Sequence, residues 1–279
     1  MLKLLVVWFQ LSMGLSEDCP NVIQLALGLQ MDVVQPLLMS QLQTDCCNAT
    51  GITCFEQNVI IVVWSGYRLN GTINATAIPV TLVNFDLQRN LITGKVPSFQ
   101  NGIRNIFLSD NLLNGTIPAI TSSILYLDLS RNQLTGSIPE LPNNLSNLYL
   151  FGNQLTGIIP PLPSTLNNLR LGHPSYLGNH LQGTIYLIQP VRLMINGNWI
   201  TNVIVNDTSQ LSQCDLSQNP LLGIPSLDSL PMCLQNGLYS ANTLPLYFYP
   251  WKTQSRLCLP CFYLKLLQKT PLVKILHLI

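Results

Sequence analysis

Apolar and polar positions recur in a fixed order along residues 58–219. The unit is apolar-x-x-apolar-x-apolar-x-x-Asn, as in Ile124, Leu127, Leu129 and Asn132, or Leu145, Leu148, Leu150 and Asn153. After the Asn come another apolar residue, a Gly and an Ile-Pro pair. Residues 132–139 therefore read NQLTGSIP and residues 153–160 read NQLTGIIP. Related segments begin at Asn90, Asn111, Asn179, Asn198 and Asn219, and a degenerate copy has Tyr67 in the Asn position. From Tyr67 the spacings are 23, 21, 21, 21, 26, 19 and 21 residues. Unrelated Asn-Gly turns in a β-sandwich would not keep a 21-residue register three times in succession, so the chain is a stack of similar units.

Each position has a mechanical reason. Apolar residues two apart lie on one side of a strand. The pattern predicts eight short parallel strands near residues 62–64, 85–87, 106–108, 127–129, 148–150, 169–171, 193–195 and 214–216, each with its middle residue outward. The Asn amide carries donors and an acceptor, so Asn90, Asn111, Asn132, Asn153, Asn179, Asn198 and Asn219 can satisfy backbone groups that stacking would bury. The Gly permits a backbone conformation or a close approach that a Cβ would hinder. One unit cannot bury its own apolar face; stacked units share a continuous core.

The pattern L-x-x-L-x-L-x-x-N-x-L-x-G-x-I-P resembles the plant-type leucine-rich repeat. The stretch TDCCNATGITC at residues 44–54 resembles the N-terminal cap of the same family, which includes polygalacturonase-inhibiting proteins and receptor ectodomains. The resemblance covers roughly residues 19–235. It implies a mainly β α/β solenoid: a right-handed leucine-rich-repeat superhelix with a parallel concave β-sheet of about eight strands and a helical N-terminal cap. It also implies the disulfides Cys19–Cys46 and Cys47–Cys54, where sequence alone leaves three connectivities for four cysteines and a zinc site as a rival. The family's usual repeat is about 24 residues. The shorter segment after the Pro here, with Leu-Pro at 141–142 and 162–163, predicts little or no convex helix and a more irregular or polyproline-like backbone.

The ends of the chain break the pattern. Lys3 and the apolar run Leu4–Leu11, followed by Gly14-Leu15-Ser16, read as a secretory signal over residues 1–16, against a short uncleaved anchor or a buried strand. Residues 17–57 form a Cys-rich cap, with Pro36 able to begin a second short helix. The solenoid runs over residues 58–235. Cys214 holds an inward strand position and Cys233 lies 19 residues later, which leaves a C-terminal disulfide and two buried thiols as alternatives. Residues 236–279 form a flank and a basic, apolar tail with a lone C-x-x-C at Cys258 and Cys261. Any association with a membrane is expected only through that tail. Five extra residues around His173–Leu177 are read either as a ligand contact or as a tolerated insertion.

Composition narrows the function. Charged residues make up only 9% of the chain, which argues against a nucleic-acid binder built on a basic surface. The net charge of +1 hides a basic tail; without it and Lys3 the rest of the chain is near −5. The leader, the cysteines and six sequons, at Asn48, Asn70, Asn74, Asn114, Asn144 and Asn206, agree on a secreted or cell-surface glycoprotein. The three histidines lack motif partners for nucleophilic catalysis or metal binding, so no cofactor or metal is expected. Asp86, Asp128 and Asp215 share one repeat position, and a polysaccharide-acting β-solenoid enzyme that uses such acids is the alternative function.

The leading expectation is a non-enzymatic extracellular module that binds a protein, peptide or cell-wall glycan on its concave face, as a secreted binder or inhibitor or a receptor-like ectodomain. The residues expected to do so are Phe107, Tyr126, Asp128, Tyr149, Phe151, Arg170 and Arg192. They occupy outward strand positions that the repeat does not need for folding. Aromatic and Arg side chains dominate binding hot spots.

Overall fold

The computed structural model describes residues 16–173, 178–187, 192–205 and 214–220. Residues 1–15, the insert after His173, Asn206, Cys233 and the tail with Cys258 and Cys261 lie outside these described residues.

The cap consists of α1 (Cys19–Gly28), α2 (Met31–Val34) and α3 (Pro36–Thr44), followed by a 3-10 turn at Cys46–Asn48. Pro20 and Pro36 occupy first-turn positions, where a missing N–H costs nothing. Disulfides join Cys19 to Cys46 and Cys47 to Cys54, the pairing that the resemblance implies. Val22, Leu25, Leu29, Met31 and Leu42 bury the helical face against the first coils. Asp18 fastens the cap. Its Oδ2 accepts the Val59 N–H at 2.8 Å and the Thr81 hydroxyl at 2.7 Å.

Strands are numbered along the chain. The large sheet takes β1 (Ile52–Phe55), β2 (Asn58–Val63), β4 (Asn84–Asp86), β6 (Asn105–Phe107), β8 (Tyr126–Asp128), β10 (Asn147–Tyr149), β12 (Asn168–Arg170), β14 (Arg192–Met194) and β16 (Cys214–Asp215). β1 pairs antiparallel with β2. From β2 to β16 all pairs are parallel, which makes the eight strands that the sequence predicts. Several begin one residue earlier than expected. At Asp86, Asp128 and Asp215 the carboxylate accepts the N–H of the residue two further on, while coil-to-coil bonds continue past the strand ends, as from the Leu87 N–H to the Phe107 carbonyl at 2.9 Å.

A second sheet runs along the other flank of the coils. It contains β7 (Asn114–Gly115), β9 (Gln133–Gly136), β11 (Gln154–Ile158), β13 (His180–Leu187) and β15 (Trp199–Val205). β3 (Asn70–Thr72) and β5 (Leu91–Thr93) form a separate parallel pair, and a bridge from Lys95 to Asn114 continues toward β7. Among the described residues no α-helix follows Thr44. This ordered sheet was not part of the sequence expectation. The expectation of irregular backbone holds for the segments after each Pro, apart from the 3-10 turn at Ala75–Ala77.

Between the sheets each coil contributes the same core positions. Leu108, Leu129, Leu150 and Leu171 are fully buried, as are Leu113, Leu134, Leu155 and Leu181. The buried Asn residues tie coil to coil. The Asn132 Oδ1 accepts the Leu113 N–H at 3.0 Å, and its Nδ2 donates to the Leu108 carbonyl at 3.0 Å and to the Leu129 carbonyl at 3.1 Å. Asn90, Asn111, Asn153, Asn179, Asn198 and Asn219 repeat this arrangement, each with its Oδ1 on an N–H of the preceding coil. Gly136 shows why Gly follows: its φ is +78°, and a Cβ there would stand 2.9 Å from the Thr116 Cγ2.

Candidate functional site

The large sheet turns two columns of side chains outward. The register pairs Asp86, Phe107, Asp128, Tyr149, Arg170, Met194 and Asp215 strand by strand. Two residues earlier, Asn84, Asn105, Tyr126, Asn147, Asn168 and Arg192 form the neighbouring column.

Large side chains on diagonal positions of adjacent strands meet. The Phe107 and Tyr126 rings lie 4.7 Å apart between centroids, and Tyr126 meets Tyr149 edge to face at 5.2 Å. The Arg170 guanidinium sits 5.3 Å from the Tyr149 ring centroid, a cation–π contact. These four residues thus form one continuous ribbon over β6, β8, β10 and β12. Phe151 departs from the single patch expected for it: it stacks on the His173 imidazole at 5.1 Å, at the foot of the insert. Arg192 is exposed and stands opposite Asn168.

Amides frame the ribbon. Asn105 donates to Asn84, and Asn168 donates to Asn147 at 2.6 Å, so Tyr126 interrupts a row of paired amides. Burial holds the Tyr126 phenol above its ordinary range, with its hydrogen bond to Tyr149 as the next cause. The phenol stays protonated at every physiological pH and can donate.

The acids have structural partners. The Asp128 Oδ1 accepts the Ser130 N–H at 3.0 Å and the Ser130 hydroxyl at 2.6 Å. Asp86 accepts the Gln88 N–H at 3.1 Å and the Gln88 side-chain amide at 3.1 Å. Burial raises both carboxyl groups above the ordinary carboxylate range, and these hydrogen bonds oppose the shift. Asp128, expected among the ligand contacts, therefore faces outward with its Oδ1 occupied by its own turn. Asp86 and Asp128 are two strands apart, about 10 Å, with Phe107 between them.

Among the described residues no group of three or more His, Cys, Asp or Glu side chains could hold a metal ion. No helix among them is long and apolar enough to cross a membrane. Cys214 is disulfide-bonded, and Cys233 lies outside the described residues.

Five sequons fall within the described residues, and all five Asn residues are exposed. Asn114 lies in β7 of the second sheet, because pairing continues past the ladder Asn. Asn48 donates to Asp45 at 2.6 Å, Asn74 accepts from Thr76, and Asn144 donates to the Ser122 carbonyl at 3.1 Å.

Comparison with known proteins agrees with this architecture. The family model described as Leucine Rich Repeat matches residues 123–145 and 144–166. No curated protein matches the chain. The solved structure of Pollen Receptor Kinase 3 is 32% identical over 52% of this chain and 75% of that one, with a TM-score of 0.45. The Arabidopsis receptor kinase HAESA, solved with the peptide hormone IDA and the co-receptor SERK1, is 21% identical over 74% of this chain and 46% of its own, with a TM-score of 0.53. A plant ice-binding protein is 20% identical over 75% of this chain and 88% of its own, with a TM-score of 0.50. The last two likenesses are likenesses of fold. Repeat, sheet, ladder and cap lead to one conclusion: the chain belongs to the plant-type leucine-rich-repeat family.

Proposed function

We propose that this protein is a non-enzymatic recognition module that works outside the cell and binds a protein or peptide on the outward face of its large sheet. The observation that carries this reading is the ribbon of Phe107, Tyr126 and Tyr149 capped by Arg170. These side chains are half-buried at outward strand positions and do nothing for the repeat. Arg192, beside them, supplies a second cation, which is exposed. The ring faces lean on one another, which favours an extended chain with apolar side chains over a stacked sugar. Disulfides and exposed sequons support secretion and glycosylation at Asn48, Asn70, Asn74, Asn114 and Asn144. The same reading covers a soluble binder and a receptor-like ectodomain.

The test is alanine replacement of Tyr126, Tyr149 and Phe151 one at a time, with affinity measured for a partner captured by the secreted protein. Hot-spot behaviour means losses of ~1–3 kcal/mol at Tyr126 and Tyr149 with the melting temperature unchanged. Normal binding by all three variants would place the site elsewhere.

One observation favours a second reading, adsorption to ice. The outer face of the second sheet repeats small hydroxyl side chains, with Thr116, Thr135 and Thr156 exposed on successive coils. In the register Thr135 stands opposite Gln154 and Thr156 opposite His180, so these hydroxyl groups step diagonally from strand to strand, with neighbouring strands about 4.8 Å apart. An ice-recrystallisation assay separates the readings, because adsorption would be lost on Thr135→Leu and untouched by Tyr149→Ala.

A further inference from the structure

Four Asn-Gly steps lie within the described residues, at Asn70-Gly71, Asn101-Gly102, Asn114-Gly115 and Asn196-Gly197. They share a sequence and differ in environment. Asn70 and Asn114 begin the paired strands β3 and β7, and their N–H groups donate to the Leu29 carbonyl at 3.2 Å and the Gly94 carbonyl at 2.8 Å. Asn196 is 1% exposed, and the Gly197 N–H donates to the Ser217 carbonyl at 3.0 Å. Asn101 and Gly102 are both exposed, form a turn outside every strand, and make no hydrogen bond among the described residues. Gly102 has a φ of +118°, and the nearest atom to a Cβ placed on it would be the Val80 carbonyl oxygen at 3.5 Å.

We propose that Asn101 is a site of spontaneous deamidation, which converts this protein into an acidic charge form without an enzyme. The reaction needs a backbone nitrogen that can swing onto its neighbour's side-chain amide. A following Gly offers no Cβ to block that approach. Exposed loop tips open at almost no cost, whereas a paired strand must first break its ladder. Hydroxide or another base removes the proton from the Gly102 nitrogen, which attacks the Asn101 Cγ. A Cγ–N bond forms, the Cγ–Nδ2 bond breaks, and the amide nitrogen leaves as ammonia. Water then opens the succinimide ring at either carbonyl and yields aspartate or isoaspartate. The net change is amide plus water to carboxylate plus ammonium. The new charge lies in the loop that leads into β6, the strand of Phe107, and the isoaspartate product also lengthens that backbone by one carbon.

The strand and core steps serve as internal controls. The full chain is produced without glycans, so that Asn70 and Asn114 keep free amides, and is incubated folded at mildly alkaline pH. Peptide mapping with isoaspartate detection follows each step; trypsin releases residues 96–104, in which Asn101 is the sole Asn. Conversion should appear at Asn101 well before the other three, rise with pH, and lose its lead once the chain is reduced and denatured. The Asn101→Gln variant should lack the early acidic form, because its ring closure is slower. If Asn101 stays intact in the folded protein while the denatured chain reacts, or if Asn70, Asn114 or Asn196 keeps pace with it, the proposal is wrong.

Discussion

The two sheets are made by the same repeat and close over the same core, yet their outer faces differ in kind. On β7, β9 and β11 the second sheet shows small polar side chains at equivalent positions of successive coils, Asn114, Thr135 and Thr156 at one and Thr116 and Ser137 at another, before Ile158, Tyr186 and Trp199 bring exposed apolar groups to β11, β13 and β15. The large sheet shows Asp86, Phe107, Asp128, Tyr149, Arg170, Met194 and Asp215 along a single register. Neither face lies inside the core, so core packing dictates the side chains of neither. Small polar groups suit a solvated face on any coil. A run of aromatic, cationic and acidic groups gives a surface that can tell partners apart. The frame and the face are therefore separable, and substitutions can be chosen to disturb one at a time.

The largest effect is expected where the two sheets share a part. Asn132→Ala removes an acceptor from the Leu113 N–H and a donor from the Leu108 and Leu129 carbonyls, all in the interior. The Leu108 and Leu129 carbonyls keep the Asn111 and Asn153 amides as donors, so the Leu113 N–H alone is left unpaired. That group costs about 1–3 kcal/mol and the lost second bonds add to it, so the loss should reach ~2–4 kcal/mol in denaturant unfolding. A loss of a few tenths would mean that water or a neighbouring coil replaces the ladder.

A smaller effect falls on the second sheet alone. Gly136→Ala puts a Cβ into a left-handed backbone and against Thr116. It should cost roughly 1–3 kcal/mol in thermal unfolding and leave binding unchanged. Gly152→Ala, also at positive φ and 3.2 Å from the Arg131 Cγ, provides a comparison on the rim of the large sheet.

Asp128 concerns the large sheet. Burial raises its folded carboxyl pKa, so protonation favours the folded state. The corresponding stability is fully present below the unfolded value and is lost as pH rises through the folded one. Asp128→Asn should therefore match the natural protein in acid and equal or exceed it at neutral pH, within about 1 kcal/mol. Unfolding measured across that range checks the sign; a variant weaker only at neutral pH would show that the ionised carboxylate supports its turn. The smallest effect belongs to Thr135→Ala on the second face, within ~0.5 kcal/mol in stability, with no change in partner affinity.

These expectations rest on unequal legibility. Leu127, Leu129 and Asn132 announce their places because the core imposes a period, and the eight parallel strands follow from it. The second sheet has a period too. Gln133 and Thr135 are exposed around buried Leu134, and Gln154 and Thr156 around Leu155, an alternation present in the letters. It was masked by the Gly and Pro that punctuate it, which read as breakers when taken alone. The Phe107–Tyr126–Tyr149 contact could be reached by counting columns, because register makes diagonal neighbours computable. The Phe151–His173 stack could not, since an irregular coil of 26 residues separates Asn153 from Asn179 and no period carries across it. Nor could the Asp18 latch to Val59 and Thr81, which joins the cap to coils far along the chain.

The central claim is that recognition takes place on the large sheet's outward face, and a glycan placed there tests it most directly. Phe107→Thr creates a sequon at Asn105, which stands in register opposite Tyr126. The variant is made in a eukaryotic secretory host, with occupancy at Asn105 verified by mass, and compared with the same variant after enzymatic removal of the glycan. Asn114→Gln, which removes the sequon on the second sheet, is measured alongside. The account predicts that the occupied variant loses its captured partner while keeping its melting temperature, that deglycosylation restores part of the affinity, and that Asn114→Gln binds normally. Full binding with a glycan seated at Asn105 would contradict it.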